Sequence, residues 1–313
     1  MIRGILPALL TPLSDDGTHV NHKALQQLVT FQLERGVDGF FVCGGSGEGL
    51  LLSVEERNAI LAEVIAVARG RATIIAHIGA IDTATAQRLA AHAAELGADA
   101  IAAVPPIYFR VDDQALVEHY RMIADAAGNL PLMPYNIPSA TGVEINARIM
   151  ERLLEIPTIS GIKYSSYNLY DMRNIIELDP ERISMLSGFD EVCVPGLLMG
   201  AHGVIGSTYN VMPATFAAIY KSVRAGDLAT AQELQYRANR VIKGLISVPL
   251  IAGLKAVLTS WGIPCGGPRR PQRPLSAEER ARLLNAVAAV GLEQLEEDAL
   301  QILAQPLVPA VGA

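Results

Sequence analysis

Cysteine, aromatic residues and charge are all sparse in this chain, and each scarcity removes a class of protein. The 3 cysteines, Cys43, Cys193 and Cys265, are odd in number and far apart, so they supply neither a disulfide framework nor a metal cluster and read as reduced cytoplasmic thiols. Of the 6 histidines only His19 and His22 stand close together, without a clear third ligand, and no metal is expected. With 25 Lys and Arg against 32 Asp and Glu, the formal charge of -7 offers nucleic acid no broad basic surface. The stretch Pro268-Arg-Arg-Pro-Gln-Arg273 is too short and too interrupted by proline to change that. No uninterrupted apolar run reaches the roughly 18 residues of a membrane span. Met1-Ile-Arg-Gly-Ile-Leu-Pro7 lacks the charged start and continuous apolar core of a signal peptide. The expectation is a soluble, cytoplasmic protein whose partner is a small molecule.

What the chain has in quantity is apolar side chains, 50% of 313 residues, enough for a large core. Short apolar or β-branched segments recur at Gly4 to Leu10, Gly39 to Cys43, Thr73 to His77, Ala100 to Val104, Pro131 to Tyr135, Ile159 to Lys163, Ile183 to Leu186 and Gly203 to Gly206. Between them run amphipathic stretches with helical spacing, including Asn21 to Glu34, Ser53 to Ala68, Thr83 to Leu96, Asp113 to Ala127 and Glu191 to Met199. Ser53-Val-Glu-Glu56 supplies a capping box, and Gly70, Gly97 and Gly128 sit where helices should stop. Eight alternations of strand and helix predict an α/β fold, a (β/α)8 TIM barrel over residues 1–225, with a doubly wound open sheet as the rival. Residues 226–313 read as an appended C-terminal helical region, with Pro264 to Pro274 as a linker inside it and Pro306 to Ala313 fraying.

A barrel gathers the loops after its strands around one mouth. After the sixth predicted strand stands Lys163, a lone amine ending the apolar run Pro157-Thr-Ile-Ser-Gly-Ile and followed by Tyr164-Ser165-Ser166. Most such lysines snorkel to water or pair with a carboxylate. A desolvated strand end instead favours the neutral, nucleophilic amine that Schiff-base chemistry needs. Gly44-Gly-Ser-Gly-Glu-Gly49 follows the second strand, where backbone N–H groups and the Ser46 hydroxyl suit an anion, although a bare glycine turn has the same look. Tyr135-Asn-Ile-Pro138 ends the fifth strand with a phenol, Ser187-Gly-Phe-Asp-Glu191 follows the seventh with two carboxylates, and Gly206-Ser-Thr-Tyr-Asn210 follows the eighth. Taken singly, Tyr135 reads as packing and Asp190-Glu191 as charge at a helix start. Taken together, an anion site, phenol, amine, carboxylates and hydroxyls suit a Schiff-base aldolase acting on a polyhydroxylated 2-oxo acid.

Those motifs, in order and with Gly161-Ile-Lys163 and Gly203-Val-Ile-Gly-Ser207, resemble the pyruvate-dependent class I aldolase family that contains dihydrodipicolinate synthase and N-acetylneuraminate lyase. The similarity runs from about Ile2 to Leu284. It implies a homotetramer without cofactor, with a covalent Schiff base through Lys163, proton transfer by Tyr135, and the pyruvate carboxylate seated on Gly45 and Ser46. Ser165, Gly188, Asp190, Glu191 and Ser207 are then the groups that hold the hydroxylated tail. Ser139-Ala140-Thr141 lacks the arginine with which the synthases hold their second substrate, while Gly188-Phe-Asp-Glu191 and Gly206-Ser-Thr-Tyr-Asn210 are similar to lyase segments. The resemblance thus implies cleavage of N-acetylneuraminate to pyruvate and N-acetylmannosamine. A 2-keto-3-deoxy sugar-acid aldolase or dehydratase is the alternative, and dihydrodipicolinate synthesis a more distant one. Three positions depart from the pattern: Gly45 replaces a hydroxyl residue, Tyr108-Phe109 keeps one phenol of a tyrosine pair, and Ile251 replaces an aromatic residue. Tyr108 is the candidate supporting phenol; in the synthases the second tyrosine comes from a neighbouring subunit.

Overall fold

The computed structural model describes residues 1–306, so the predicted fraying of the last residues falls almost wholly outside them. Eight strands of four or five residues form the centre: β1 Gly4–Pro7, β2 Gly39–Val42, β3 Thr73–His77, β4 Ala100–Ala103, β5 Leu132–Asn136, β6 Gly161–Tyr164, β7 Ser184–Ser187 and β8 Gly203–Gly206. All pair in parallel in the order β1-β8-β7-β6-β5-β4-β3-β2. A parallel bridge between Ala8 and Phe41, with Leu9 N–H donating to the Phe41 carbonyl at 3.0 Å, brings the first and last strands of that order together. The sheet is a barrel, and the open-sheet alternative is excluded.

The helices are α1 His22–Leu33, α2 Val54–Ala68, α3 Thr83–Leu96, α4 Asp113–Ala127, α5 Pro138–Thr141, α6 Ala147–Leu153, α7 Leu169–Leu178, α8 Cys193–Leu198, α9 Pro213–Ala225, α10 Leu228–Leu245, α11 Leu250–Ser260, α12 Ala277–Ala289 and α13 Leu292–Ala304. Their starts follow local chemistry. Ser53 and Glu56 form the expected capping box of α2, and Ser276 with Glu279 repeats it on α12. Asp82, Asp112, Asn146 and Asn168 accept from the first-turn N–H groups of α3, α4, α6 and α7. Among the described residues, no single helix is long and apolar enough to cross a membrane.

Alternation along the strands divides the apolar residues into two cores. Leu6, Phe41, Ile75, Ala102, Met133, Tyr135, Leu186 and Ile205 point inward and fill the barrel. Ile5, Phe40, Ile74, Ile101, Leu132, Ile162, Met185 and Val204 point outward and pack beneath the helices.

Several element boundaries differ from the sequence reading by a residue or more, and three of them are instructive. Gly4 to Leu10 continues apolar, but the strand stops at Pro7 because the next N–H groups turn to Gly206, Phe41 and the Asn210 side chain. Ile159 makes only an isolated bridge to Leu132, and β6 begins at Gly161 and ends at Tyr164. The helix predicted from Glu191 starts at Cys193, preceded by a 3-10 turn over Asp190–Val192. Loss of one cap should be measurable: Ser276→Ala is expected to cost about 1 kcal/mol, read as a lower urea midpoint at unchanged denaturant dependence.

Candidate active site

Parallel pairing of β5 with β6 sets Tyr135 opposite Lys163, both on the inward face of the barrel. Lys163 is 4% exposed, so its amine does not reach bulk water. None of the ion pairs among the described residues includes it. Its Nζ instead lies 4.0 Å from the ring centre of Phe41 and 4.1 Å from that of Tyr135. Neither ordinary fate of a lysine, snorkelling or ion pairing, describes this side chain.

Beside the two rings lies His77, edge-on to Tyr135 at 6.0 Å between centroids and 5.7 Å from Phe41. Burial, reinforced by the charges of Arg57 and Lys163, pushes its pKa down to about 3, so the imidazole is neutral. Its Nδ1 donates to the Cys43 carbonyl at 3.0 Å.

Lys163 and Tyr135 line a cavity of about 540 Å³ together with Gly45, Ser46, Ser165, Gly188, Asp190, Glu191 and Ser207. Nine of the residues singled out in the sequence therefore share one chamber. Tyr108 does not: it is 89% exposed, on backbone with φ +73°.

The two ends of the chamber differ in chemistry. At one end the Ser46 and Ser207 hydroxyls are hydrogen-bonded to each other at 2.7 Å, joining the loops after β2 and β8. Gly45 faces open space, with no atom within 4 Å of where a Cβ would sit. At the other end the 3-10 turn presents Asp190 and Glu191. One Asp190 oxygen accepts from Thr208 N–H at 2.7 Å and from its hydroxyl at 2.6 Å. Burial still raises the Asp190 carboxyl to about 6, outweighing those two bonds. The Tyr167 hydroxyl donates to Glu191, and the Tyr167 ring stacks on Phe189 at 4.4 Å.

The appended helices complete this end. From α10, Gln235 donates to the Asp190 carbonyl and Asn239 to the Glu191 carbonyl, each at 3.1 Å. Asn239, Ile242, Lys243 and Ile251 line the chamber itself, so the residue that departs from the aromatic pattern belongs to its wall. Among the described residues, no group of three His, Cys, Asp or Glu side chains is placed to hold a metal ion.

Phe41, His77, Tyr167, Thr208 and Asn239 were not singled out in the sequence. The period-2 alternation of β2 and β3 is the signal that points Phe41 inward, but the other four act through contacts between distant segments.

A chamber with a buried amine, a phenol, paired hydroxyls and two carboxylates sets a nucleophile type beside groups that can grip a polar chain. The model of the Dihydrodipicolinate synthetase family matches residues 1–290. The chain belongs to that family. Among relatives within reach of this family, an N-acetylneuraminate lyase of Rhizobium meliloti (strain 1021) is 43% identical over 289 residues, covering 92% of this chain and 95% of the relative. An N-acetylneuraminate lyase of Enterobacter sp. (strain 638) is 41% identical over 257 residues, covering 82% of this chain and 86% of the relative. The wild-type sialic acid aldolase of Ruminococcus gnavus superimposes with a TM-score of 0.89 at 32% identity, covering 96% of this chain and 98% of that one.

Two glycines of the chamber should respond oppositely to a side chain. A Cβ on Gly188 would fall 2.0 Å from the Ser165 hydroxyl and 3.1 Å from the Ser165 Cα, so Gly188→Ala is expected to destabilise by about 1 to 3 kcal/mol. Gly45→Ser, entering open space, should leave the urea midpoint unchanged.

Proposed function

We propose that this protein is a Schiff-base aldolase that cleaves N-acetylneuraminate to pyruvate and N-acetylmannosamine. The observation that carries the reading is the Lys163 amine, buried without a carboxylate partner and set directly over the Tyr135 ring. An amine so enclosed, with no carboxylate among the described residues to occupy it and a phenol ring against it, is placed for attack on a carbonyl. The 40 to 43% identity to N-acetylneuraminate lyases over most of the chain supports the choice of substrate.

In this reading the Lys163 amine adds to the C2 ketone of the open-chain substrate, and loss of water leaves an iminium. Tyr135 shuttles protons, with the substrate carboxylate seated on the Gly45 and Ser46 loop. Removal of the C4 hydroxyl proton breaks the C3–C4 bond, the electron pair passes into the iminium to give an enamine, and N-acetylmannosamine leaves. Protonation at C3 and hydrolysis of the resulting imine release pyruvate and restore the amine. No cofactor enters these steps.

Asp190, Glu191, Gly188 and Ser165 hydrogen-bond the hydroxylated tail, joined by Ser207, which stands between Ser46 and the Asp190-bound Thr208. Buried polar groups discriminate strongly against a substrate that leaves them unpaired. The protein works in this reading as a cytoplasmic homotetramer, with the exposed Tyr108 turned toward a neighbouring subunit.

Ile251 in the chamber wall favours one second reading, a 2-keto-3-deoxy sugar-acid aldolase with a different far end. Measuring pyruvate release from N-acetylneuraminate against a panel of deoxy sugar acids separates the two.

Incubation with pyruvate and borohydride should add a stable mass at Lys163, and Lys163→Ala should abolish both adduct and turnover; an unmodified Lys163 sinks the Schiff-base reading. Asp190 provides a pH signature. Its raised pKa means that it gains a proton as pH falls through about 6 and then offers the tail one acceptor fewer, so kcat/KM should drop there. That inflection should vanish in Asp190→Asn.

A further inference from the structure

At the end of the glycine loop lies a polar contact that the proposed reaction does not use. The side chains of Glu48 and Lys255 are 0% and 1% exposed and form an ion pair across 207 residues of sequence. Both carboxylate oxygens are partnered. The second Glu48 oxygen accepts from Arg269 N–H at 2.6 Å and from the Gln272 side chain at 3.2 Å, while Lys255 also donates to the Gly267 carbonyl at 3.0 Å. One carboxylate thus ties the loop after β2 to α11 and to the proline-rich segment that follows it.

Such a contact adds little net stability, because taking both charges out of water offsets most of their attraction. What it supplies is direction. Glu48 occupies the left-handed region at φ +58°, which a side-chain-bearing residue enters only when its surroundings hold it there. From that backbone, Glu48 N–H donates to the Gly45 carbonyl at 3.0 Å and Gly49 N–H to the Gly44 carbonyl at 3.0 Å. The loop is wound so closely that a Cβ on Gly49 would lie 1.8 Å from the Cys43 carbonyl oxygen. A shift of the Glu48 carboxylate therefore passes through its own backbone and one hydrogen bond to Gly45, and from there to Ser46.

We propose that Lys255, acting through Glu48, is a positioning residue that fixes the Gly45 and Ser46 peptides where they receive the substrate carboxylate. This inference rests on the aldolase reading. It makes the C-terminal helices a support of the carboxylate end as well as a wall of the tail end.

The test is borohydride trapping at Lys163, measured against pyruvate concentration in the full-length protein. In Glu48→Gln/Lys255→Met, which removes both charges at similar volume, the thermal midpoint should stay within a few degrees of the parent. Half-saturating pyruvate should rise tenfold or more, with less than a threefold change in the limiting trapping rate. A merely structural pair would lower stability and leave half-saturation alone. Ser46→Ala should raise half-saturation less in the double variant than in the parent, because the loop is already misplaced. Should the double variant fail to fold, Gln272→Leu removes one donor to Glu48 and keeps the pair, and a twofold to threefold rise is expected. Unchanged half-saturation in whichever of these variants folds overturns the inference. Failure of the parent itself to trap pyruvate overturns the aldolase reading instead, so the two failures are distinct.

Discussion

The contact on which the site depends is the Lys163 amine held against the faces of Phe41 and Tyr135. It requires three inward-facing residues on β2, β5 and β6 to meet at one height, and only a closed barrel with parallel register delivers that. In an open sheet β2 and β6 would lie far apart, and the amine would have one ring at most. The closure at Ala8 and Phe41 is thus as much part of the site as the lysine. What lies against the amine is aromatic surface, the Phe41 and Tyr135 faces, and no carboxylate pairs with it among the described residues.

Much of this was legible in the sequence because buried parallel strands are short, apolar and bounded by glycine. Lys163 and Tyr135 stand out against such strands as the polar residues that do not belong. The hydroxyls and carboxylates after β7 and β8 could be placed at the same mouth from topology alone. Local reading failed where a backbone group leaves its expected partner. Leu10 N–H bonds to Asn210, 200 residues away, and β1 ends early. Thr208 takes the carboxylate of Asp190, and the chain turns once as a 3-10 helix before α8 begins.

Contacts between distant segments were illegible for the same reason. Nothing near Glu48 in sequence announces Lys255, and nothing near Glu191 announces Asn239. His77 looked like one scattered histidine among several, yet burial makes it a neutral edge packed against the phenol. Its role depends on how many charges surround it, which spacing along the chain does not encode.

The chamber has two builders. Strand ends and their loops carry the amine, the phenol and the hydroxyl pair, whereas α10 and α11 contribute Asn239, Ile242, Lys243 and Ile251. A helix face can exchange side chains without disturbing barrel register, because its backbone bonds stay within the helix. The part of the wall that α10 and α11 supply is therefore mutable separately from the part that the strands and their loops supply. Descendants of such a chain can reshape that side of the chamber by repainting α10 and α11, while every strand keeps its sequence.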